Sequence, residues 1–337
     1  MNKPQPQSLG AMMKRRQWLQ SAAGIATCAA LPAWAQGRSS ASGRLVVPFA
    51  PGGGNDVFAR QLSHGLSEAF GYNIIVENKP GAGGNLGTEM VVRASPQSDT
   101  YLLGHTGTVS INPALYKGLK FNPTTDLQPV AMFASSALLL VVPATSPIRN
   151  VAELVKALRE KGEAMNYASS GSGSGGHLAG EMLAFMLGVK ATHVPYKGTA
   201  PSLNDVAGGL VDFSFSVIPA AQALVKSGKL RALAVTSLQR HAQLPDVPTV
   251  AESGVEALAK FESTLTYGVL APKGAAANTV KKLSDEILQV AAQSAFQSKL
   301  GVEGAVPLLG DAKAYAKKIQ EETRKWDAVI KASGASV

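Results

Sequence analysis

The residues best placed to do chemistry in this sequence lie in three glycine-rich loops. Residues 51–56, 81–85 and 171–176 each follow an apolar run and precede a helical pattern. A helix that begins after glycines leaves its first N–H groups uncovered, and these groups bind anions with the help of the helix dipole. The loops could therefore form a phosphate site, an active site or a site that only holds a carboxylate.

The catalytic motifs that such loops could form are incomplete. GSGSGG at residues 171–176 matches G-x-G-x-x-G, but the next predicted strand, ATHVPY, supplies no acidic residue for a dinucleotide ribose. No run matches G-x-x-x-x-G-K-[ST], the phosphate loop. Ser172 and Ser174 both miss the G-x-S-x-G pattern of a nucleophile elbow.

The histidines and the cysteine give no metal or cofactor motif. The five histidines form no H-x-x-x-H pair, and Cys28 is the only cysteine. We therefore expect no metal and no cofactor. His177 opens a predicted helix beside the third loop, where it could contact a ligand or cap the helix, and the cap is favoured.

Binding of a carboxylate without chemistry is the remaining interpretation of the loops. Lysine and arginine are scarce in them, which disfavours a highly charged phosphate. Glycines needed only for tight turns would explain one such loop, whereas three loops of similar chemistry favour a site. The polar side chains that could orient a ligand are Asn55, Asn85, Thr106, Thr108, Ser169, Ser170 and Ser174.

Strand patterns alternate with helix patterns along the whole chain, which predicts an α/β fold. In such folds a ligand lies in the crevice outside the carboxyl ends of the strands. Two α/β lobes that face each other would bring the glycine loops together across one cleft.

Composition and charge exclude several functions. The chain has 337 residues, of which 45% are hydrophobic and 16% charged, so it can form two globular domains. The formal charge is +9, and loss of residues 1–35, with four cations and no acid, would lower it by four to +5. Because the remaining charges alternate in sign along helices, we expect no nucleic-acid partner.

The N-terminus predicts export. Residues 13–35 combine a basic patch, an apolar run and an Ala-Trp-Ala ending, which predicts a signal peptide over residues 1–35 with cleavage after Ala35. The pair Arg15-Arg16 indicates a twin-arginine signal, and general secretory export is the alternative. A lipoprotein anchored at Cys28 is a lower-ranked alternative. The expected location is the periplasm.

Eight stretches, in this order, resemble a known family. They are VPFAPGGGND, VENKPGAGGNLGTE, INPALYKGLKFNP, NYASSGSGSGGHLAGEML, HVPYKGTAPSLNDVAGGLVDFSF, GKLRALAVTS, LPDVPTVAESG and RKWDAVIKASG. Together they resemble the Bug (TctC-type) extracytoplasmic solute receptors of tripartite tricarboxylate transporters. The resemblance covers nearly all of the predicted mature chain.

The resemblance implies an α/β fold with two lobes, similar to that of type II periplasmic binding proteins. Each lobe would be a mostly parallel sheet flanked by helices, with the ligand cleft between the lobes. After a linker over 36–43, we expect the first lobe over 44–142 and 267–337 and the second over 143–266. The tail helix would pack in the first lobe, with Trp326 in the core.

The resemblance also places four loops around the cleft, over residues 51–56, 81–85, 104–108 and 169–177, with Tyr196 on the rim. Val217 stands at a position where many members of the family have a polar residue. This apolar replacement disfavours an amino-acid ligand. The expected ligand-binding residues are Phe49, Ala50, Gly53, Gly54, Asn55, Asp56, Gly83, Asn85, Thr106, Gly107, Thr108, Ser169, Ser170, Ser174, His177, Tyr196 and Ser216.

The expected function is capture of a small carboxylic acid by lobe closure and its delivery to membrane permease subunits. We expect a monomer that is not an enzyme. One alternative is a periplasmic hydrolase that uses Ser174 and His177, although no third residue is apparent to orient the histidine. The other is a ligand-sensing receptor for a signalling system without its own permease.

Overall fold

The computed structural model describes residues 42–52 and 54–334. The predicted signal peptide, the linker up to residue 41 and Gly53 lie outside these residues. The first strand begins at Ser42, so it includes the last two residues of the predicted linker.

Strands and helices alternate along the described chain, which confirms the α/β prediction. The strands are β1 Ser42–Val47, β2 Asn73–Asn78, β3 Thr100–His105, β4 Leu127–Ser136, β5 Leu138–Pro143, β6 Asn166–Ser169, β7 Thr192–Pro195, β8 Phe213–Val217, β9 Leu230–Val235, β10 Leu265–Pro272 and β11 Ala305–Gly310. The helices are α1 Gly54–Phe70, α2 Asn85–Val92, α3 Asn112–Leu115, α4 Pro123–Asp126, α5 Val151–Lys161, α6 Gly175–Leu187, α7 Thr199–Ala207, α8 Ile218–Lys226, α9 Ala277–Ala291, α10 Ser294–Val302 and α11 Ala312–Ser333. The short helical turns are Ala82–Gly84, Gly107–Ile111, Gly162–Ala164, Ala251–Ser253 and Glu256–Leu258.

Each lobe contains one mixed sheet. The first sheet has the order β11-β4-β10-β3-β1-β2, and the second has the order β7-β6-β8-β5-β9. In the first, β1 pairs in parallel with β2 and β3, while β10 and β11 run antiparallel to their neighbours. In the second, β6 pairs in parallel with β7 and β8, while β5 runs antiparallel to β8 and β9.

The two-lobed α/β architecture is confirmed, but the expectation of mostly parallel sheets is wrong. The antiparallel pairs come from the strands next to the points where the chain crosses between the lobes. Since β10 returns from the second lobe, it enters the first sheet in the direction opposite to β3. The parallel strands β1–β3 and β6–β8 remain as two groups whose carboxyl ends can form a cleft.

The chain crosses between the sheets at two places. The first crossing is Ala137, because β4 ends at Ser136 in the first sheet and β5 begins at Leu138 in the second. The predicted boundary at residue 142 lies five residues later, at the far end of β5. The return lies just before β10, and Leu265 pairs with Ser136 so that the two crossings are adjacent.

The cores explain the sequence patterns. Every residue of β5 is buried, as a continuous apolar run at the centre of a sheet requires. Helix α5 begins where Asn150 was predicted to cap it: its Oδ1 accepts the Glu153 N–H at 2.9 Å, and Glu153 in turn accepts the Arg149 N–H at 2.7 Å. This pair confirms the predicted N-cap.

The last helix spans both lobes. Tyr315 and Ile319, in its first half, are buried in a cluster with residues of the first sheet. Trp326 and Val329, in its second half, are buried in the cluster that includes Phe213 and other residues of the second sheet. Trp326 is therefore in the core as predicted, but the expectation that the tail helix packs only in the first lobe is wrong. A 22-residue helix is about 33 Å long, which is enough to reach both sheets.

Candidate functional site

A cavity of about 350 Å³ lies between the two groups of parallel strands. Its volume falls in the range of small-molecule sites. The lining residues come from the loops after β1, β2 and β3 on one side and after β6, β7 and β8 on the other, together with the two crossings. They are Phe49, Gly54, Asn55, Gly83, His105, Gly107, Leu138, Ser170, Gly171, Ser172, Gly173, Ser174, Gly175, Gly176, Thr199, Phe215, Ser216, Val217, Leu265 and Tyr267.

Four helices begin at this cavity. Gly54 is the first residue of α1 in the first lobe. In the second lobe, Gly175 opens α6, Thr199 opens α7, and Val217 precedes α8. Neither α7 nor α8 has a side-chain cap, so the N–H groups of their first turns, which Pro201 and Pro219 lack, are left for another acceptor. Helix N-termini carry the positive ends of the helix dipoles, so this arrangement favours a bound anion.

The described lining of the cavity contains no lysine, arginine, aspartate or glutamate. Its one titratable imidazole, His105, is 8% exposed, and burial lowers its pKa to about 4. His105 Nδ1 accepts the Gly107 N–H at 2.8 Å, so the proton of the neutral ring is on Nε2. No described residue accepts a hydrogen bond from that Nε2–H, which leaves it free to donate to a ligand.

One part of the lining is apolar. Ring stacking fixes two of its members, because Phe49 stacks on His105 with centroids 4.9 Å apart and Tyr267 lies edge-on to Phe58 at 4.8 Å. The remaining apolar residues come from the crossings and from β8. They are Leu138, Phe215, Val217 and Leu265.

The loop that opens α1 is held by Asp56. Its carboxylate accepts hydrogen bonds from the Gly52 N–H, Arg60 Nε and Asn78 Nδ2, each at 3.0 Å. Burial by itself would raise the pKa of Asp56, but these hydrogen bonds and the charge of Arg60 outweigh it and hold the pKa below its usual value. Asp56 is 4% exposed and does not line the cavity, so it supports the loop from behind.

The loop after β2 is held by hydrogen bonds from the side-chain amide of Asn112. Asn112 Nδ2 donates to the Gly83 carbonyl at 3.0 Å and to Asn85 Oδ1 at 2.7 Å. Gly83 has a φ of 62°, and a Cβ there would lie 2.4 Å from the Tyr116 hydroxyl. A glycine is therefore required where the chain turns toward the cavity.

The loop that opens α6 is held by histidines. Ser174 Oγ caps the helix by accepting the His177 N–H at 3.4 Å, and His177 Nδ1 accepts the Gly173 N–H at 3.1 Å. Ser169 Oγ accepts the Gly171 N–H at 3.1 Å and lies 2.7 Å from His193 Nε2. His177 thus does not accept from the Ser174 hydroxyl, and the serine–histidine pair expected of a hydrolase is not formed.

Two further expected residues serve the structure around the cleft. Tyr196 donates its hydroxyl to Asp205 at 2.7 Å, and burial together with this bond raises its pKa to about 12. Thr106 Oγ1 accepts the Thr266 N–H at 2.9 Å, which ties the return crossing to the first lobe. Neither residue lines the cavity.

The structure thus brings about half of the expected residues to the cavity wall. Those on the wall are Phe49, Gly54, Asn55, Gly83, Gly107, Ser170, Ser174 and Ser216. The other described ones do not line the cavity; they are Ala50, Asp56, Asn85, Thr106, Thr108, Ser169, His177 and Tyr196. Contact of either group with a ligand stays a prediction.

Several wall residues were not expected from the sequence. His105 ends β3 and could have been found as the residue before the Thr-Gly-Thr loop. Thr199 follows Gly198, which has a φ of 117°, and a glycine before a helical pattern is a recognisable signal. Leu138 and Leu265 look like ordinary core residues in the sequence, because only the crossings turn them toward the cavity.

The described residues lack two further features. Among residues 42–52 and 54–334, no group of three or more metal-binding side chains lies together. Within the same ranges, no helix combines the length and apolar character needed to cross a membrane.

The two facing lobes and the cavity at their strand ends define a ligand-binding protein of the periplasmic binding protein type. The chain matches the profile of the tripartite tricarboxylate transporter family receptor (TctC) over residues 58–335. It therefore belongs to this receptor family, and the resemblance found in the sequence is confirmed.

Solved structures of the same fold include three informative neighbours. The periplasmic binding protein BugD is 35% identical, with a TM-score of 0.73 over 88% of this chain and 98% of BugD. The R. palustris protein Rpa4515, solved with adipate, is 33% identical, with a TM-score of 0.77 over 88% and 98% of the two chains. MatC from Rhodopseudomonas palustris, solved with bound malate, is 30% identical, with a TM-score of 0.74 over 87% and 99%.

Proposed function

We propose that the protein is a periplasmic receptor that binds a small carboxylate in the cavity by closure of its two lobes and delivers it to a membrane transporter. The observation that carries this proposal is the convergence of four helix N-termini on a cavity whose described wall has no cationic side chain. Neutral donors and helix dipoles stabilise negative charge less strongly than cationic side chains do. Such a site therefore favours an anion of low charge density. Carboxylates meet this description better than phosphates do.

The wall also favours carboxylates that carry no amino group. An ammonium group taken from water into a closed cleft needs an acidic partner, and the described lining offers none. Val217, with Leu138 and Leu265 near it on the wall, presents apolar surface instead. Adipate and malate, the carboxylates in two of the structural neighbours, have no ammonium group. The proposed ligand class is therefore a simple or hydroxylated carboxylic acid with one or more carboxylates.

Two short segments are suited to be the hinge of closure. Thr236 Oγ1 accepts the Leu138 N–H at 2.8 Å and donates to the Ser263 carbonyl at 2.7 Å, so it fixes both crossings to the second lobe. Thr106 fixes Thr266 to the first lobe. Rotation between the lobes would fall on Ala137 and on residues 264–265, which lie between these anchors. A ligand that contacts both lobes would then shift the protein toward its closed form.

The remaining parts of the proposal rest on family membership. Export to the periplasm with cleavage after Ala35, delivery to permease subunits and a monomeric state are expected of such a receptor. A role without enzymatic activity agrees with the position of His177, whose ring accepts from Gly173 and leaves Ser174 without a base. A sensing role without a permease would use the same cleft, and a neighbouring gene for a sensor kinase would favour it.

A thermal-shift screen tests the proposal. The protein from Gln36 onward is unfolded and refolded to remove bound ligand, then heated with adipate, malate, aromatic acids, citrate, aspartate and glutamate. A ligand at 100 times its Kd should stabilise the protein by about 2.7 kcal/mol, or a few degrees in melting temperature. We expect at least one carboxylate without an amino group to act in this way and to be recovered unchanged.

The same screen separates the alternatives. A hit that is consumed during incubation would favour an enzyme over a receptor. A stronger shift with aspartate than with any simple carboxylate would overturn the proposed ligand class. No shift with any acid would remove the reason for assigning a carboxylate to the cavity.

A further inference from the structure

Two histidines lie stacked behind the glycine loop of the second lobe. The rings of His177 and His193 have centroids 4.0 Å apart and are inclined by 23°. His177 comes from the first turn of α6, and His193 comes from β7. Neither lines the cavity, although residues 170–176 directly in front of them all do.

The loop in front of these rings is made of glycine and serine. Its own hydrogen bonds join the Ser174 N–H to the Gly171 carbonyl and Ser169 Oγ to the N–H and carbonyl of Gly171. Six of its seven residues up to Gly176 are glycine or an exposed serine. Gly171 and Gly173 have positive φ values of 135° and 78°. Since glycine is the most freely rotating residue, a loop of this composition is costly to order unless other groups fix its backbone.

The two rings supply those fixed points. His177 Nδ1 accepts the Gly173 N–H at 3.1 Å. His193 Nε2 lies 2.7 Å from Ser169 Oγ, and that oxygen accepts the Gly171 N–H at 3.1 Å. One ring therefore holds the middle of the loop directly, and the other holds its start through a serine.

Both contacts suit neutral rings. A ring nitrogen that accepts an N–H bond cannot carry a proton, so His177 must be neutral with its hydrogen on Nε2. Burial lowers the pKa of both histidines to about 4, which keeps them neutral near pH 7. The ionisable groups that face the pair are Glu181, 3.7 Å from His177 Nε2, and Tyr167, which donates to Glu181 at 2.6 Å and stacks on His193.

We propose that His177 and His193 are positioning residues that hold the 170–176 loop in the conformation that receives the ligand, without touching the ligand themselves. The inference rests on the proposed carboxylate function for its effect on affinity. Its structural part, the ordering of the loop, does not depend on what is bound. With Gly173 N–H occupied by His177, the N–H groups that open α6 are left for the ligand.

The test compares a pair of substitutions at each ring. His177→Asn keeps an acceptor near the position of Nδ1, whereas His177→Leu removes it. His193→Gln keeps a polar atom near the position of Nε2, whereas His193→Leu removes it. His64→Leu is the matched control, because His64 lies on the surface of α1 and pairs only with Glu68.

The first measurement is amide hydrogen exchange in the ligand-free protein. We expect His177→Leu to speed exchange of the 170–176 segment by about tenfold, the factor that corresponds to the loss of one hydrogen bond. His177→Asn should exchange at close to the wild-type rate. Exchange of the 79–84 segment in the first lobe should not change. Equal exchange of the 170–176 segment in wild type and His177→Leu would overturn the proposal.

The second measurement is calorimetric titration with adipate and malate. We expect both leucine variants to bind the better of these probes about tenfold more weakly, with Asn and Gln close to wild type. Faster exchange with unchanged affinity would also overturn the proposal, because the loop order would then not serve binding. If wild type binds no acid in the wider screen, the proposed function fails, while the exchange result still decides whether the histidines order the loop.

Discussion

The loop that opens α1 and the loop that opens α6 face the same cavity but are held by different chemistry. Asp56 holds the first through an ionised carboxylate that accepts from Gly52, Arg60 and Asn78. His177 and His193 hold the second through neutral ring nitrogens. The first network needs the charge of Asp56, whereas in the second network His177 Nδ1 can accept only while it is unprotonated.

This difference indicates how each lobe would prepare N–H groups for the proposed anion. In the first lobe the negative charge of Asp56 lies behind the loop and is neutralised by Arg60, so it does not repel the ligand. In the second lobe a charged support is unnecessary, because buried imidazoles accept N–H bonds at neutral pH. Both solutions leave the cavity wall free of ionised side chains.

The largest expected effect comes from removing the charged support. Asp56→Ala would leave the Gly52 N–H, Arg60 and Asn78 without their shared acceptor, and we expect a loss of about 2–4 kcal/mol in the free energy of unfolding. Urea denaturation measures it. Asp285→Ala is the control, since its ion pair with Lys281 is exposed and should change stability by less than about 1 kcal/mol. Equal effects of the two substitutions would show that Asp56 does not hold the loop.

The second effect tests the close packing of the other loop. A Cβ on Gly176 would lie 2.3 Å from the Phe215 carbonyl oxygen, which is backbone and cannot move aside. We expect Gly176→Ala to destabilise the protein by about 1–3 kcal/mol and to weaken binding of adipate or malate. Gly118→Ala is the matched control, because nothing lies within 4 Å of a Cβ there. A Gly176→Ala protein with wild-type stability and affinity would contradict the described loop.

The third effect separates the two loops by pH. His177 has its pKa lowered from 6.5 to about 4, so the unfolded chain takes up a proton first and stability falls as the pH drops from 6.5 to about 4. Asp56 has its pKa lowered from 3.8, so its contribution is present above pH 3.8 and is lost only below it.

Urea denaturation across pH 7 to 3.5 checks this separation. His177→Asn should reduce the slope between pH 6.5 and 4 by up to about 1.4 kcal/mol per pH unit, the value for one proton. Asp56→Ala should leave the slope in that window as it is in wild type. A His177→Asn slope that matches wild type would show that His177 is not buried in its neutral form.

The smallest effect concerns the crossing beside the loops. Thr106→Val removes the acceptor of the Thr266 N–H, and we expect a loss of about 1 kcal/mol in unfolding free energy. Thr279→Val, at an exposed position in the first turn of α9, should change stability by less than about 0.5 kcal/mol. A direct role of Thr106 in ligand contact would instead appear as weaker binding with unchanged stability.

Much of the fold could be predicted from the sequence because local patterns determine its elements. Alternating strand and helix patterns gave the α/β class, and Asn150 marked the start of α5. Strand direction could not be predicted, since β4, β5 and β10 are apolar runs that look alike in either direction. Trp326 packs in the second lobe because of the length and direction of α11. Local sequence patterns do not predict the direction in which this helix runs.

The site could be predicted only as a set of loops. Glycines after strands located three of the loops, and the family resemblance added the loop over residues 104–108. The α/β pattern placed these loops at the carboxyl ends of strands. The sequence did not show whether a polar side chain faces the cavity or the backbone behind it. Asp56, Thr106 and His177 are of the right type for ligand contact, yet each hydrogen-bonds a backbone N–H of the protein.

We propose that neutral donors and helix dipoles, without a cationic side chain, recognise a carboxylate in the cavity. The most direct test is calorimetric titration of the refolded protein with the best acid of the screen and with its amide, in which every carboxylate is replaced by a carboxamide of similar shape. We predict that the acid binds at least about 100-fold more tightly, because the amide cannot accept the converging N–H groups as an anion does. Equal affinity for acid and amide would contradict the account.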